Sequence, residues 1–100
     1  MALTARKRLT IVTEEALEDT LVRDIEILGA RGYTITDARG KGGRGKRDAT
    51  WAPYANIRLE VLCDAKTADT ICTALRDRYY DNYPMVMYVS DVDVLRPEKF

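Results

Sequence analysis

Hydrophobic residues recur along this chain with two different periods. In residues 56–62, NIRLEVL, apolar side chains alternate with polar ones, which is the period of a strand with one buried face. Residues 8–13, RLTIVT, and residues 32–38, GYTITDA, are two further β-rich runs, and residues 85–95, MVMYVSDVDVL, form a fourth. The pattern therefore predicts four strands.

Two other segments repeat apolar residues at the helical spacing of three to four positions. The first stripe comprises Leu17, Leu21, Ile25 and Leu28, and the second comprises Ala68, Ile71, Cys72, Leu75 and Tyr79. Thr13 is predicted to cap the first helix, because Glu14 and Glu15 follow it where the helix dipole favours acidic residues. Gly29 and Gly32 are predicted to end that helix.

The resulting order of elements, βαββαβ, predicts an α+β protein with a ferredoxin-like fold. Such a fold has an antiparallel four-stranded sheet with both helices on one face. No repeat or composition shift marks a boundary, so residues 1–100 are expected to form a single domain.

The last strand is apolar at every position from residue 85 to residue 89. A run of this kind is typical of a strand buried on both faces. Two helices cover only one face of a ferredoxin-like sheet, so something else must cover the other. The simplest way to cover it is contact with another copy of the same chain. A monomer with one solvated sheet face is the alternative.

The connection between the second and third strands, residues 39–55, is much longer than a hairpin needs. It contains RGKGGRGKR, residues 39–47, in which Gly40, Gly45 and Lys46 imitate a phosphate-binding P-loop. A P-loop must lead into a helix, and its hydroxyl residue is replaced here by Arg47, so we reject that interpretation. Glycine backbone amides with Lys and Arg side chains can still bind a phosphate or a small oxyanion. A solvated hairpin tip and an arginine-glycine segment that binds RNA are the alternatives.

The amino-acid composition limits the kinds of binding and catalytic site that the protein can have. The 16 basic and 16 acidic residues balance, so no overall field attracts nucleic acid or membrane, and the absence of histidine excludes histidine-based metal sites and triads. Cys63 and Cys72 fit no metal spacing and are interpreted as buried structural thiols. Asp91 and Asp93 share a strand face but are better explained as solvated strand ends than as an acid–base pair. We therefore predict that the protein is not an enzyme.

The N-terminus has no apolar segment suited to a signal peptide or a membrane span, so a cytoplasmic location is expected. Trp51 stands in the long connection beside Pro53. It either stacks on a ligand or partner or holds the connection to the body of the protein.

Taken together in this order, four segments of the chain resemble the PII signal-transduction superfamily. They are the IVTEE end of the first strand, GARGYTITDARGKGGRGKR, ANIRLEVL and YYDNYPMVMYVSDVDVL. The similarity extends over about residues 8–95. Within the superfamily, the chain resembles the PII-like branch linked to inorganic-carbon uptake, which includes carboxysome-associated PII proteins and regulators of the sodium-dependent bicarbonate transporter.

The resemblance implies a homotrimer with three nucleotide sites in the clefts between subunits. It also implies that the long connection is the T-loop, which closes over an adenine nucleotide and signals to a partner. By position, the implied phosphate ligands are Gly40, Lys41, Gly42, Arg44 and Arg47. The implied lining of the loop base is Asp37, Ala38 and Arg39. The backbone expected to approach the adenine from the neighbouring subunit is that of Met85, Val86, Met87 and Tyr88.

Carboxysome-associated members sense bicarbonate together with AMP or ADP, and Lys41, Arg44 and Arg47 are the residues expected to bind bicarbonate here. Two departures from the family pattern matter. The glycine-lysine B-loop of standard PII proteins is missing, which argues against standard ATP and 2-oxoglutarate sensing, and Tyr54 lies too near the third strand to be the tyrosine that some T-loops carry. The last residues are RPEKF, so the C-terminal cysteine pair of some transporter regulators is not expected here.

The sequence thus favours a non-enzymatic sensor that binds AMP or ADP, with ATP or cyclic AMP as further candidate ligands, together with bicarbonate. A bicarbonate transporter or a carboxysome component is the expected partner, and the protein is expected in the cytoplasm or associated with the carboxysome. An RNA-binding ferredoxin-like module is the alternative function. A small acylphosphatase-like enzyme is a third hypothesis, which lacks an evident nucleophile or base.

Overall fold

The structure, a computed structural model, describes residues 2–40 and 55–100. Its elements follow the predicted order. Their bounds are β1 Thr4–Glu14, α1 Glu18–Ile27, β2 Thr34–Ala38, β3 Asn56–Cys63, α2 Ala65–Tyr79 and β4 Val86–Val94, with short 3₁₀ turns at Glu15–Leu17 and Pro97–Lys99.

The four strands form one antiparallel sheet in the order β2-β3-β1-β4. The strand β1 is longer at both ends than the pattern predicted, because one partner strand extends the pairing past each end. Residues Lys7 to Glu14 pair with β3, and residues Thr4 to Val12 pair with β4. The predicted α+β ferredoxin-like fold is confirmed.

The core lies between one face of this sheet and the two helices. Strand residues on this face are buried and contact the apolar stripes of both helices. The strand contributors are Leu9, Ile11, Leu59, Val61 and Cys63, and the helical contributors are Leu17, Leu21, Ile25, Ala68, Ile71, Leu75 and Tyr79. Both predicted helical stripes are therefore confirmed, although Leu28 and Cys72 are only half-buried and pack against the core.

The predicted cap of the first helix is wrong. Thr13 lies inside β1, and its buried hydroxyl donates to the carbonyl oxygen of Pro84 at 3.0 Å. The chain instead turns through Glu15–Leu17 before α1 begins at Glu18, and no side chain caps α1. The hydroxyl is drawn to a distant acceptor because the strand pairing carries Thr13 into the protein interior.

The end of α1 follows the prediction at Gly29. This residue has a φ of 115°, a left-handed conformation that favours glycine, and Ala30 donates its N–H to Ile25 O at 2.9 Å. At the start of α2, Asp64 accepts the N–H of Thr67 at 2.8 Å. That hydrogen bond lowers the pKa of the Asp64 carboxyl.

Candidate functional site

The two groups of predicted site residues that the structure describes lie at the same end of the sheet. Ala38, at the end of β2, pairs with Asn56 at the start of β3, and Asn56 pairs with Glu14 at the end of β1. At this end β4 also begins, because Val86 pairs with Val12 of β1. The long connection and the first residues of β4 therefore emerge on the same side of the molecule.

Within one chain, however, these groups lie at opposite edges of the sheet. The strand β2 is one edge and β4 is the other, with β3 and β1 between them. Three strand spacings of about 4.8 Å separate the edges by about 14 Å. A compact site that uses both groups therefore needs the β4 edge of a second copy beside β2 of the first.

At the β2 edge, Asp37, Arg39 and Gly40 are exposed and Ala38 is half-buried. A Cβ atom added to Gly40 would contact nothing within 4 Å among the described residues. Neither crowding by these residues nor a left-handed φ thus accounts for a glycine at this position. The predicted phosphate ligands Lys41, Gly42, Arg44 and Arg47 lie outside the described residues, as do Trp51 and Tyr54.

At the β4 edge, alternate residues face opposite sides of the sheet. Met85 is buried and Met87 packs against the core, whereas Val86 and Tyr88 on the other side are 57% and 49% exposed. The uncovered apolar face that the sequence predicted is therefore present in the single chain. We call this side of the sheet, which neither α1 nor α2 covers, the open face.

The open face also carries unsatisfied polar atoms. Among the described residues, two buried side-chain atoms lack a hydrogen-bond partner, Arg6 Nε and Thr10 Oγ1. The strand register places both residues on the open face, since Leu9 and Ile11 of the same strand face the core. Buried polar groups in folded proteins are normally paired. The single chain thus leaves the open face incomplete in both its apolar and its polar groups.

Sequence reasoning missed the contacts that hold the segment before β4. Besides the Thr13 bond to Pro84, the backbone N–H of Met87 donates to the hydroxyl oxygen of Tyr80 at 3.2 Å. The rings of Tyr79 and Tyr83 meet edge to face with centroids 5.7 Å apart. The only signal in the sequence was the cluster of tyrosines around the predicted break in the helix.

Other candidate chemical groups are distant from this arrangement or unsuited to catalysis. Asp91 forms an ion pair with Lys7, and its side chain is 82% exposed, as expected of a solvated strand end. Both cysteines are free thiols, and burial raises the pKa of Cys63 to about 11 and also raises that of Cys72. Raised thiol pKa values disfavour the reactive thiolate at neutral pH.

A cavity of about 270 Å³ lies between α2 and the β4 edge. Its lining is Lys7, Ala65, Ala68, Asp69, Cys72 and Val89, none of which was predicted to belong to the site. Among the described residues, no group of three or more His, Cys, Asp or Glu side chains is placed to hold a metal ion. No helix in the described part of the chain is long and apolar enough to cross a bilayer.

The sheet order and the single helical layer define a ferredoxin-like protein in which the end of β2 and the start of β4 lie at the same end of the sheet. Sequence comparison then gives the family. The chain belongs to the family of nitrogen regulatory protein P-II, whose sequence model matches residues 6–99. Members of this family are signalling proteins, and the prediction that the chain is not an enzyme is confirmed on that ground.

Solved structures add detail to this assignment. A PII-like signalling protein from Thermus thermophilus is 44% identical over 100% of this chain and 99% of its own, with a TM-score of 0.85. CPII from Thiomonas intermedia, solved with ADP and bicarbonate, is 25% identical over 99% of this chain and 97% of its own, with a TM-score of 0.84. The GlnK–ATP complex of B. subtilis is 16% identical over 96% of each chain, with a TM-score of 0.73, and shows the fold alone.

Proposed function

We propose that this protein is a trimeric sensor that binds AMP or ADP together with bicarbonate and regulates inorganic-carbon uptake or fixation through its T-loop. One observation carries the proposal: the end of β2, where the long connection begins, and the exposed start of β4 lie at one end of the sheet but at opposite edges. Three copies arranged head to tail around an axis bring each β2 edge beside the β4 edge of a neighbour. Each such cleft then combines both groups of site residues.

The incomplete open face supports self-association. Val86 and Tyr88 are exposed there, and the unpaired polar atoms of Arg6 and Thr10 lie on the same side. PII proteins as a family are trimers that bind adenine nucleotides. Trimer formation would remove the exposed apolar side chains from water, which is the main driving force of most protein association.

In the proposed site, the phosphates lie against the long connection and the base lies against the neighbour's β4. Residues assigned to the phosphates are Gly40, Lys41, Gly42, Arg44 and Arg47, with Asp37, Ala38 and Arg39 at the loop base. Residues assigned to the base are Met85, Val86, Met87 and Tyr88 of the neighbouring copy. Glycine amides and charged side chains together suit a phosphate, which accepts several hydrogen bonds at once.

Bicarbonate is assigned to Lys41, Arg44 and Arg47. A planar oxyanion matches the fork of an arginine side chain, and it can use donors that a bound AMP or ADP leaves free. The γ-phosphate of ATP would compete for the same donors. The structure of CPII with ADP and bicarbonate supports the choice of these two ligands. A bicarbonate transporter or a carboxysome component is the proposed partner, and the cytoplasm or the carboxysome is the proposed location.

Calorimetric titration tests the proposal. AMP, ADP and ATP are titrated into the protein in chloride and then in bicarbonate, at matched ionic strength and pH. We expect bicarbonate to tighten AMP or ADP by about 1–3 kcal/mol, with an equal reciprocal effect of nucleotide on bicarbonate, and to weaken ATP. Arg44→Ala and Arg47→Ala should reduce the coupling, whereas Arg23→Ala, at an exposed position on α1, should not.

Equal affinities for AMP and ADP in the two buffers would contradict bicarbonate sensing. Failure to bind any adenine nucleotide would contradict the sensor as a whole. Titration of single-stranded RNA addresses the alternative function, since RNA binding requires an affinity that falls steeply with salt. Tyr88 is the only aromatic residue in the four described strands, so the sheet lacks the aromatic pair with which RRM domains stack bases.

A further inference from the structure

The hydrogen-bond partner of the Met87 N–H shows which way this residue's backbone groups point at the edge of β4. Met87 pairs in register with Ile11 of β1, yet its N–H donates to the Tyr80 hydroxyl instead of to β1. This N–H therefore points away from the sheet, toward the free edge. In an antiparallel strand the N–H and C=O of one residue point to the same side, so the Met87 carbonyl also faces the free edge.

The Tyr80 hydroxyl has a hydrogen left to donate. A phenolic hydroxyl provides one hydrogen and can accept hydrogen bonds as well. Its oxygen accepts the N–H of Met87, and no residue within 2–40 or 55–100 accepts its own hydrogen. The ring is 44% exposed. The free edge thus presents an O–H donor close to a C=O acceptor.

The surroundings of this pair suit a flat heterocycle better than a phosphate. Between Tyr80 and Ser90 the only side chain charged at neutral pH is Asp81, whose negative charge repels phosphate. Tyr83 is close in sequence and 39% exposed, and Val86 is 57% exposed. Aromatic and apolar side chains of this kind contact the faces of a purine ring favourably.

Tyr80 is held in place before any ligand arrives. It follows the last residue of α2, and its N–H donates to Arg76 O at 3.2 Å. The segment between Tyr80 and Met87 is fixed in addition by the bond from the buried Thr13 hydroxyl to Pro84 O. A donor positioned in advance loses little conformational entropy when a ligand binds.

We propose that Tyr80 is a specificity-determining residue that reads the adenine base of a nucleotide bound between two copies. Its hydroxyl donates to N1 of the base, and the Met87 carbonyl accepts a hydrogen bond from the exocyclic amino group. Guanine presents an N1–H donor and a carbonyl acceptor at the same positions, so both contacts would be lost. The inference rests on the proposed nucleotide-binding function and assigns its base selectivity to a side chain outside the predicted site.

The experiment compares wild-type protein with Tyr80→Phe by calorimetric titration of ADP, GDP, 1-deaza-ADP and 7-deaza-ADP. Tyr80→Phe should bind ADP about three- to tenfold more weakly, the usual effect of one neutral hydrogen bond. The wild type should bind 1-deaza-ADP more weakly than ADP by a similar factor and 7-deaza-ADP as well as ADP. The variant should not distinguish ADP from 1-deaza-ADP, and its preference for ADP over GDP should fall.

Tyr33→Phe is the matched control, because Tyr33 is a 43% exposed tyrosine beside the other end of β2. It should leave all four affinities unchanged. Melting temperatures of the variants check the fold, and the 1-deaza-ADP result on the wild type does not depend on any variant folding.

Two results would overturn the inference while leaving the proposed function intact. One is a wild type that binds ADP and 1-deaza-ADP equally. The other is a Tyr80→Phe variant that binds more weakly but still discriminates against 1-deaza-ADP, which would reduce Tyr80 to a support for β4. A wild type that binds no adenine nucleotide would instead overturn the proposed function itself.

Discussion

The two faces of the sheet differ in how far the chain's own residues cover them. On the face packed against the helices, Leu9, Ile11 and Leu59 are fully buried. On the open face, Val86 and Tyr88 of β4 remain about half exposed, and Thr10 is buried with its hydroxyl unpaired. The same sheet thus has one face covered by the helices of its own chain and one face that the described residues leave uncovered.

This difference separates two roles. The helical face buries the side chains that stabilise the single chain, and among the described residues no buried side-chain polar atom on this face lacks a partner. Asp24 on α1, for example, accepts the Tyr79 hydroxyl at 2.5 Å and pairs with Arg78 at 2.8 Å, both from α2. In the proposed trimer the open face contributes to assembly, so we expect substitutions on the two faces to have different consequences.

The largest effect should come from a charge placed on the open face. We expect Val86→Asp to convert the assembled protein to monomer, because a carboxylate in an apolar interface would lose its hydration without gaining a partner. Size-exclusion chromatography with light scattering measures the outcome. Ile27→Asp is the control, since Ile27 is a 77% exposed apolar residue on α1 and its replacement should leave the assembly intact. An unchanged mass for Val86→Asp would show that the open face is not the interface.

A deletion on the helical face should act on stability instead. Leu59→Ala should reduce the free energy of unfolding by about 2–5 kcal/mol, because Leu59 is fully buried between the sheet and the helices. Urea denaturation at fixed protein concentration measures this loss, and light scattering under native conditions should still find the assembled form. A loss of under about 0.5 kcal/mol, the usual range for surface substitutions, would contradict the assigned core.

The smallest effect expected is a change in how protein stability falls at alkaline pH. Burial, with a smaller contribution from the hydrogen bond to Asp24, raises the pKa of the Tyr79 hydroxyl from 10.0 to about 12. A folded-state pKa above the unfolded value means that this contribution to stability is complete below pH 10.0 and is lost as the pH rises from there through about 12. Tyr79→Phe should therefore show a shallower decrease in melting temperature over this range.

Some alkaline decrease should remain in Tyr79→Phe, because burial also raises the pKa of Cys63 from 9.0 to about 11. Tyr33→Phe should follow the wild-type profile. Identical profiles for Tyr79→Phe and wild type would mean that the hydroxyl is no more acidic when the chain unfolds.

Most of the fold could be predicted from the periodic patterns of apolar residues in the sequence. The alternation in β3 identified its buried face, and the two helical stripes identified the residues that cover it, because side-chain direction follows directly from strand and helix geometry. The run of apolar residues in β4 likewise predicted the uncovered face. The positions of Asp37, Ala38 and Arg39 at the base of the long connection followed from the element order alone, whereas their role in binding stays a prediction.

Local patterns failed where a residue's partner is distant in the chain. Thr13 has the residue type and the acidic neighbours of a helix cap, yet its hydroxyl bonds to Pro84, 71 positions away. Tyr80 is only seven positions from Met87, but the contact depends on the chain reversing between α2 and β4.

The amino-acid sequence by itself determined the order of elements, the buried face of β3, the apolar stripes of both helices and the placing of the basic glycine-rich connection between β2 and β3. Only the tertiary structure decided that the end of β2, where this connection begins, and the start of β4 lie at one end of the sheet but at opposite edges. It also decided that Tyr80 lies at the β4 edge, where none of the described residues accepts its hydroxyl hydrogen. The reason is physical. Periodicity along a chain specifies directions around each element, whereas the choice of partners is made by the pairing of strands and the packing of helices over long sequence separations.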